Sequence, residues 1–201
     1  MRLLKFPRGR LLGDRRGMAA VEFALIAPTL IVLVMGVMEL AFRFRAKEHT
    51  TRYVHELSDL LSRQESLTTQ DLRDLYTAAP CMMKPLDTSS RVDIDISSIG
   101  YGAAPNLTPR IYWRRVAGAN VNFLTSNMDG MGAASETVIR VGVRYHYSSP
   151  ISSLFGGPNV SLVEEAVTRP RQIRIIPIDA HNDENGVIQT FTANSGPAPC
   201  T

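Results

Sequence analysis

The side chain most out of place in this sequence is Glu22, a carboxylate one turn into a long apolar run that opens at Gly17-Met18. An ionisable group near the end of a membrane span is expensive, so its first reading is functional. From Phe23 to Met38 no residue is charged, and from Met18 to Phe42 only Glu22 and Glu39 are. The chemistry open to Glu22 is ion pairing, because it needs a cation or a proton to sit in an apolar medium. Other candidate groups fall away on spacing. His55-Glu56 opens like the zinc motif H-E-x-x-H, but Asp59 stands where the second histidine belongs. His181-Asn182-Asp183-Glu184-Asn185-Gly186 imitates part of a calcium loop, yet Thr192 holds the closing position that needs a glutamate. A polar turn or hairpin at Asn185-Gly186 is the expected use of that stretch. His49 and His146 are scattered through different elements, with no Gly-x-Ser-x-Gly elbow and no phosphate-binding G-x-x-x-x-G-K-[ST] loop. The expectation is a non-enzymatic chain with no cofactor and no metal. Arg110, Arg114 and Arg115 beside Trp113 read as a solvated strand face, with a contact patch as the alternative.

The element that positions Glu22 is a helix. About 20 mostly apolar residues cross a bilayer core, and residues 18–42 suffice. Pro28 lies inside this run and should kink it by removing one backbone donor. Ahead of it, residues 1–17 form a basic leader: Arg2, Lys5, Arg8, Arg10, Arg15 and Arg16 stand against Asp14 alone. That bias argues for a cytoplasmic N-terminus and an exported remainder, although Arg43, Arg45, Lys47 and Arg52 after the span blunt the asymmetry. A secretory signal peptide would want a shorter core and an A-x-A cut site, and neither is present. A plain uncleaved anchor stays open as an alternative, and in it Glu22 would be incidental.

Arg15-Arg16-Gly17-Met18-Ala19-Ala20-Val21-Glu22-Phe23 places a glycine five residues before a Glu-Phe pair, and this resembles the processing site of type IV prepilins. Residues 17 to about 63, above all Ala20-Val21-Glu22-Phe23-Ala24-Leu25-Ile26-Ala27-Pro28, resemble the N-terminal module of TadE-like proteins, pseudopilins of the Flp (tight-adherence, type IVb-like) pilus. Tyr145-His146-Tyr147-Ser148-Ser149-Pro150 through Arg169-Pro170-Arg171 also looks TadE-like. The resemblance implies that a prepilin peptidase cuts between Gly17 and Met18, making Glu22 the fifth residue of the mature chain. It further implies that Glu22 pairs with the new amine of Met18, on this or a neighbouring subunit. The implied role is that of a minor pilin-like subunit aiding pilus assembly for surface adherence. Its partners would be the inner membrane, the peptidase, and other pilin-like subunits and assembly proteins. An unprocessed, single-pass periplasmic binding or sensing module is the alternative.

Of the 201 residues, 22 are basic and 19 acidic, but without the leader 16 basic residues face 18 acidic ones. The mature chain is mildly acidic and makes no case for a nucleic acid partner. Its two cysteines, Cys81 and Cys200, fall on the side assigned to an oxidising compartment, which favours a disulfide over two free thiols. By the chain-entropy account a loop of that size contributes up to about 4.7 kcal/mol.

Beyond the span the pattern stays helical, with Phe42, Ala46, Tyr53, Leu57, Leu60 and Leu61 at three- and four-residue steps. Residues 43–64 are expected as an amphipathic continuation of one helix from Met18 to about Gln64. Thr68-Thr69-Gln70-Asp71 signals a second, short helix reaching about Ala78 before Pro80. After residue 91 the period becomes strand-like. Val92, Ile94 and Ile96 alternate with Asp93 and Asp95, predicting a half-buried strand. Further strands are expected at 110–117, 137–148, 162–169 and 172–178. Helices followed by strands argue an α+β domain over 65–201, with an antiparallel sheet and a pilin-like architecture, in the periplasm.

Overall fold

The computed structural model describes residues 17–86, 91–105, 107–119, 127–149, 151 and 160–193. The chain is α+β, with a long apolar N-terminal helix, a short helix and a mixed five-stranded sheet. It divides into two compact units, Met1–Phe42 and Arg43–Thr201. The described part of the first unit is helical, the opening of α1 (Met18–Ser62). Its residues are exposed on every side, apart from the half-buried Ala27, Met35 and Glu39.

In the second unit the rest of α1 turns one face to the core. Ala46, Thr50, Tyr53, Val54, Leu57, Ser58 and Leu61 are buried there, recurring at the three- and four-residue steps of a single helix face. Tyr53 is fully buried, and its hydroxyl donates to the Leu75 carbonyl at 3.4 Å. Burial pushes that phenol well above its ordinary value. Helix α2 (Thr69–Met82) starts with a reciprocal cap. The Asp71 amide donates to Thr68 Oγ1 at 3.2 Å, and the Thr68 amide to Asp71 Oδ2 at 2.7 Å. Its end differs from expectation, because α2 runs through Pro80 to Met82. A proline in the last turn removes a single helical bond, and the burial of Ala79 and Met83 holds that turn to the core.

The sheet has the order β4-β3-β1-β2-β5, formed by β1 (Val92–Tyr101), β2 (Pro109–Ala117), β3 (Thr137–Tyr147), β4 (Val160–Thr168) and β5 (Ile188–Thr190). Three neighbour pairs are antiparallel, as expected, but β2 and β5 run parallel, so the sheet is mixed. The strand expected at 172–178 is absent. Pro177 removes a donor within it, and Ile178 makes only isolated bridges to Leu67 and His181. Its apolar residues still reach the core. Ile176 and Ile178 are fully buried, and Trp113 Nε1 donates to the Ile176 carbonyl at 2.9 Å. The turn at Asn185-Gly186 is present, with positive φ at both residues, but it leads into β5 and not into a hairpin.

Two further expectations are corrected on polar ground. Strand β1 is buried along its whole length, not half-buried. As the central strand its acidic face is covered by partners. Arg114 Nε donates to Asp95 Oδ1 at 3.0 Å, His146 Nε2 lies 2.8 Å from Asp93 Oδ2, and the Ala119 amide donates to Asp93 Oδ1 at 2.8 Å. Gly118, at φ +109°, is required beside it, because a Cβ there would stand 2.8 Å from the Asp93 Cα. The arginines of β2 are likewise not a solvated face. Trp113 and Arg115 are fully buried, Arg114 is largely covered, and only Arg110 is well exposed.

Arg115 ties three segments together. Its guanidinium donates to Glu184 at 2.5 and 2.9 Å, to Asp179 Oδ2 at 3.2 Å and to Thr69 Oγ1 at 3.2 Å. Asp179 also accepts from the Thr69 amide at 2.9 Å, which sets a negative charge at the N-terminus of α2. Burial alone would lower the Arg115 pKa, but the bonds to Glu184 and Asp179 outweigh it and raise the value. Burial likewise opposes ionisation of Asp179. Its bonds from Thr69 and Arg115 prevail and hold its pKa below the ordinary carboxylate value. Arg115→Met should therefore destabilise the domain by about 3 kcal/mol, because a fully buried cation's partners lose their counter-charge. Asp179 is more than a third exposed, which keeps the figure at the low end of that range. Urea denaturation of the detergent-extracted chain, followed by Trp113 fluorescence, measures it; an unchanged midpoint would show the cluster to be dispensable.

Candidate functional site

Four of the residues singled out by sequence lie together on the first unit's helix. Gly17 and Met18 are exposed at its start, and Met18 begins α1 itself. Glu22 is exposed one turn further on, four positions after Met18 and therefore on the same helix face. Helical side chains lean toward the N-terminus, which aims the Glu22 carboxylate back at the start of the helix. Pro28 stands within the helix, which continues unbroken through it. Its missing amide leaves the Ala24 carbonyl without the usual donor. Phe23, Leu25, Val32, Leu33 and Val37 are each more than half exposed. Residues 18–42 rise about 37 Å at 1.5 Å per residue, more than the ~30 Å hydrocarbon core of a bilayer. This helix is long and apolar enough to cross a membrane, and none of its most apolar stretch is buried within the protein.

The remaining two residues are the cysteines. Cys81 lies in the last turn of α2, half-buried in the second unit. Cys200 and the basic leader 1–16 lie outside the described residues.

Among the described residues the histidines lie apart from one another, in α1, in β3 and after Ile178. His55 is exposed on the outer face of α1, and no group of three or more potential ligands exists among the described residues. One arrangement escaped the sequence reading. Ser161, His146 and Asp93 form a chain, with Ser161 Oγ 3.5 Å from His146 Nδ1 and His146 Nε2 2.8 Å from Asp93 Oδ2. Ser161 and His146 are direct cross-strand partners in the β3–β4 ladder, so ordinary strand register brings them together. The serine contact is at the limit of hydrogen bonding, and Asp93 is committed to the Ala119 amide. The chain of contacts buttresses a buried carboxylate; it does not set up a nucleophile.

The described features define a class: a single apolar helix able to anchor an α+β domain in a membrane, with one carboxylate near the start of that helix. Residues 17–57, about a fifth of the chain, match the family model of TadE-like proteins. The match begins at Gly17 and runs through the apolar segment into the buried part of α1. No curated protein and no solved structure matches the chain.

A bond between Cys81 and Cys200 is the expectation that follows for a domain exported behind such an anchor. Non-reducing peptide mapping should recover the two cysteines in one linked species. Full alkylation of both thiols without prior reduction would exclude the bond.

Proposed function

We propose that this chain is a minor pilin-like subunit that aids assembly of an Flp (Tad) pilus. In this reading it is a single-pass protein of a bacterial inner membrane, with a cytoplasmic leader and a periplasmic domain. A prepilin peptidase cuts after Gly17, Met18 becomes the N-terminus, and the domain serves subunit contacts in place of catalysis. The observation that carries the reading is the uncovered apolar helix that starts at Gly17-Met18 and holds a single carboxylate one turn in. The TadE-like match over the same residues supports it. The large domain behind the helix favours an accessory subunit over the bulk fibre protein, since the resemblance implies that Flp fibre pilins are far shorter.

The proposed mechanism joins processing to assembly. An unpaired carboxylate in hydrocarbon costs several kcal/mol, on the order of the cost of burying any lone charge. Cleavage at Gly17 creates an amine at Met18, positive at neutral pH, one helical turn from Glu22. Pairing within one subunit or between neighbours offsets much of that cost in a low-dielectric bundle. Removal of the leader thus supplies the cation that makes the anion tolerable.

Mass spectrometry of the membrane-extracted protein tests the processing step and should find an N-terminus at Met18. Gly17→Leu should retain the leader. A Cβ at residue 17 would meet no atom within 4 Å among the described residues, so retention would report on the peptidase and not on misfolding. Recovery of Met1–Arg16 on the wild-type protein in peptidase-containing cells would end this reading.

Glu22→Gln should leave insertion and cleavage intact, because a neutral residue suits lipid at least as well. It should reduce co-purification with other pilin-like subunits and lower surface piliation. Unchanged piliation in a Glu22→Gln strain would remove the assembly role assigned to this residue.

A further inference from the structure

Two surfaces meet the end of α1 in the second unit, and they have opposite character. The first is the irregular segment after β4, Arg169-Pro170-Arg171-Gln172-Ile173-Arg174, which borders a hollow of about 300 Å³ with Glu136 and Thr137. This segment is strapped to the helix. The Arg171 amide donates to the Ser62 carbonyl at 2.9 Å, and the Arg171 guanidinium to Asp59 at 2.8 Å. Arg169 reaches Glu136 at 3.2 Å. Both pairs are well exposed, and exposed pairs of this kind are worth little and exchange readily. Each occupied guanidinium also keeps further N–H donors. Arg174 is exposed, and among the described residues its side chain makes no hydrogen bond or ion pair. Three arginines within six residues form a dense positive patch on a domain that carries no excess of positive charge.

The second surface is a recess of about 370 Å³ where the end of α1 meets α2. Its floor is apolar, from Leu60, Leu61, Leu67 and Leu75, and its rim carries Asp71 and Asp74. Leu60 is 41% exposed, a large apolar side chain left facing solvent in the middle of this recess. Glu65 adds an exposed carboxylate nearby. The acidic rim fits a basic segment, and Arg169–Arg174 has that charge, with Arg174 exposed and Ile173 turned to its own core.

We infer that the recess of one copy of this chain receives the Arg169–Arg174 segment of a second copy, in a head-to-tail contact. Three observations select a second copy as the occupant. Both halves of a charge-complementary pair, acid-rimmed recess and arginine-rich segment, are carried by one chain. Both lie at the same end of α1, at residues 59–62 and 60–64, so parallel copies anchored by one span each can bring them together without an axial shift. Tethering in one membrane also raises the effective concentration, which lets a small contact form. A lipid headgroup is a poor occupant. Asp59 lies about 24 Å along the helix from Arg43, at 1.5 Å per residue, so the arginine segment sits at the far end of this helix from the second unit's first residue. A head-to-tail contact uses two different surfaces, so copies can add in series, into a ring where the rotation closes and an open run where it does not. The inference deepens the assembly reading by naming a partner and does not depend on cleavage at Gly17.

The test uses two differently tagged full-length copies in one membrane, with one captured after extraction in mild detergent. Wild-type copies should co-purify, less so as salt rises and screens the rim charges. With Arg174→Glu in both copies, recovery of the second tag should fall about fivefold or more, the worth of an exposed ion pair at its upper range. Asp74→Arg in both copies should do the same. A copy with Arg174→Glu mixed with a copy with Asp74→Arg should recover as wild type does, because one intact recess and one intact arginine segment remain to meet. That recovery also shows that both variants fold. Wild-type recovery with either variant in both copies, or a mixture as poor as the variants alone, would overturn the inference. The N-terminal mass, read in the same samples, separates the two readings, because the surfaces at Arg174 and Asp74 play no part in cleavage after Gly17.

Discussion

Residues 18–42 form a helix whose apolar side chains, apart from the half-buried Ala27 and Met35, stand exposed among the described residues. At about 25 cal/mol per Å² of exposed apolar surface, a helix of this length in water would carry a penalty larger than the whole stability of an ordinary domain. The surface must be removed from water by lipid or by other helices, and the rest of the molecule answers that constraint. A backbone that satisfies its own hydrogen bonds is what lipid demands, and Pro28 is the one interruption to that rule within the span. Glu22 is tolerable only with a partner in the same medium.

The second unit solves a different problem with the same helix. Residues 46–61 of α1 exchange bulk leucines and phenylalanines for a mixed face of Ala46, Thr50, Tyr53, Ser58 and Leu61. The buried threonine feeds its hydroxyl back to the Ala46 carbonyl at 2.9 Å, so a polar side chain enters the core without an orphaned donor. Ala46, Tyr53, Val54, Leu57 and Leu61 join Ile94, Val141 and Trp113 of the strands in one apolar core.

Much of this was legible in the sequence, and what was not has a common cause. The long helix, the cap at Thr68–Asp71 and the alternation in β3 depend on neighbours within one or two turns, so local pattern carries them. The apolar span and the position of Glu22 were legible for the same reason. The arginines of β2 were misread because their partners are distant: Asp179 and Glu184 lie 64 and 69 residues after Arg115. Nothing local separates such a residue from a solvated one. The parallel strand β5 is three exposed residues with no apolar signature, and it exists only because the preceding segment delivers it to the edge of β2. Residues 172–178 were read as a strand from their apolar content, yet Pro177 within them and Pro170 just before leave an irregular segment. His146 was read as one of several scattered histidines, and only strand register brings it between Ser161 and Asp93.

The buried guanidinium of Arg115 has a consequence for the order of events in the life of the chain. Its cage is assembled from Thr69, Asp179 and Glu184, so a polypeptide emerging from its N-terminus cannot complete the cage until nearly the last residues appear. Until then β2 lacks its parallel neighbour, and Trp113 lacks the Ile176 carbonyl it donates to. Contacts of such long sequence separation form late and slowly. A chain built this way stays loose through most of its synthesis and locks only once the segment around Glu184 can reach Arg115.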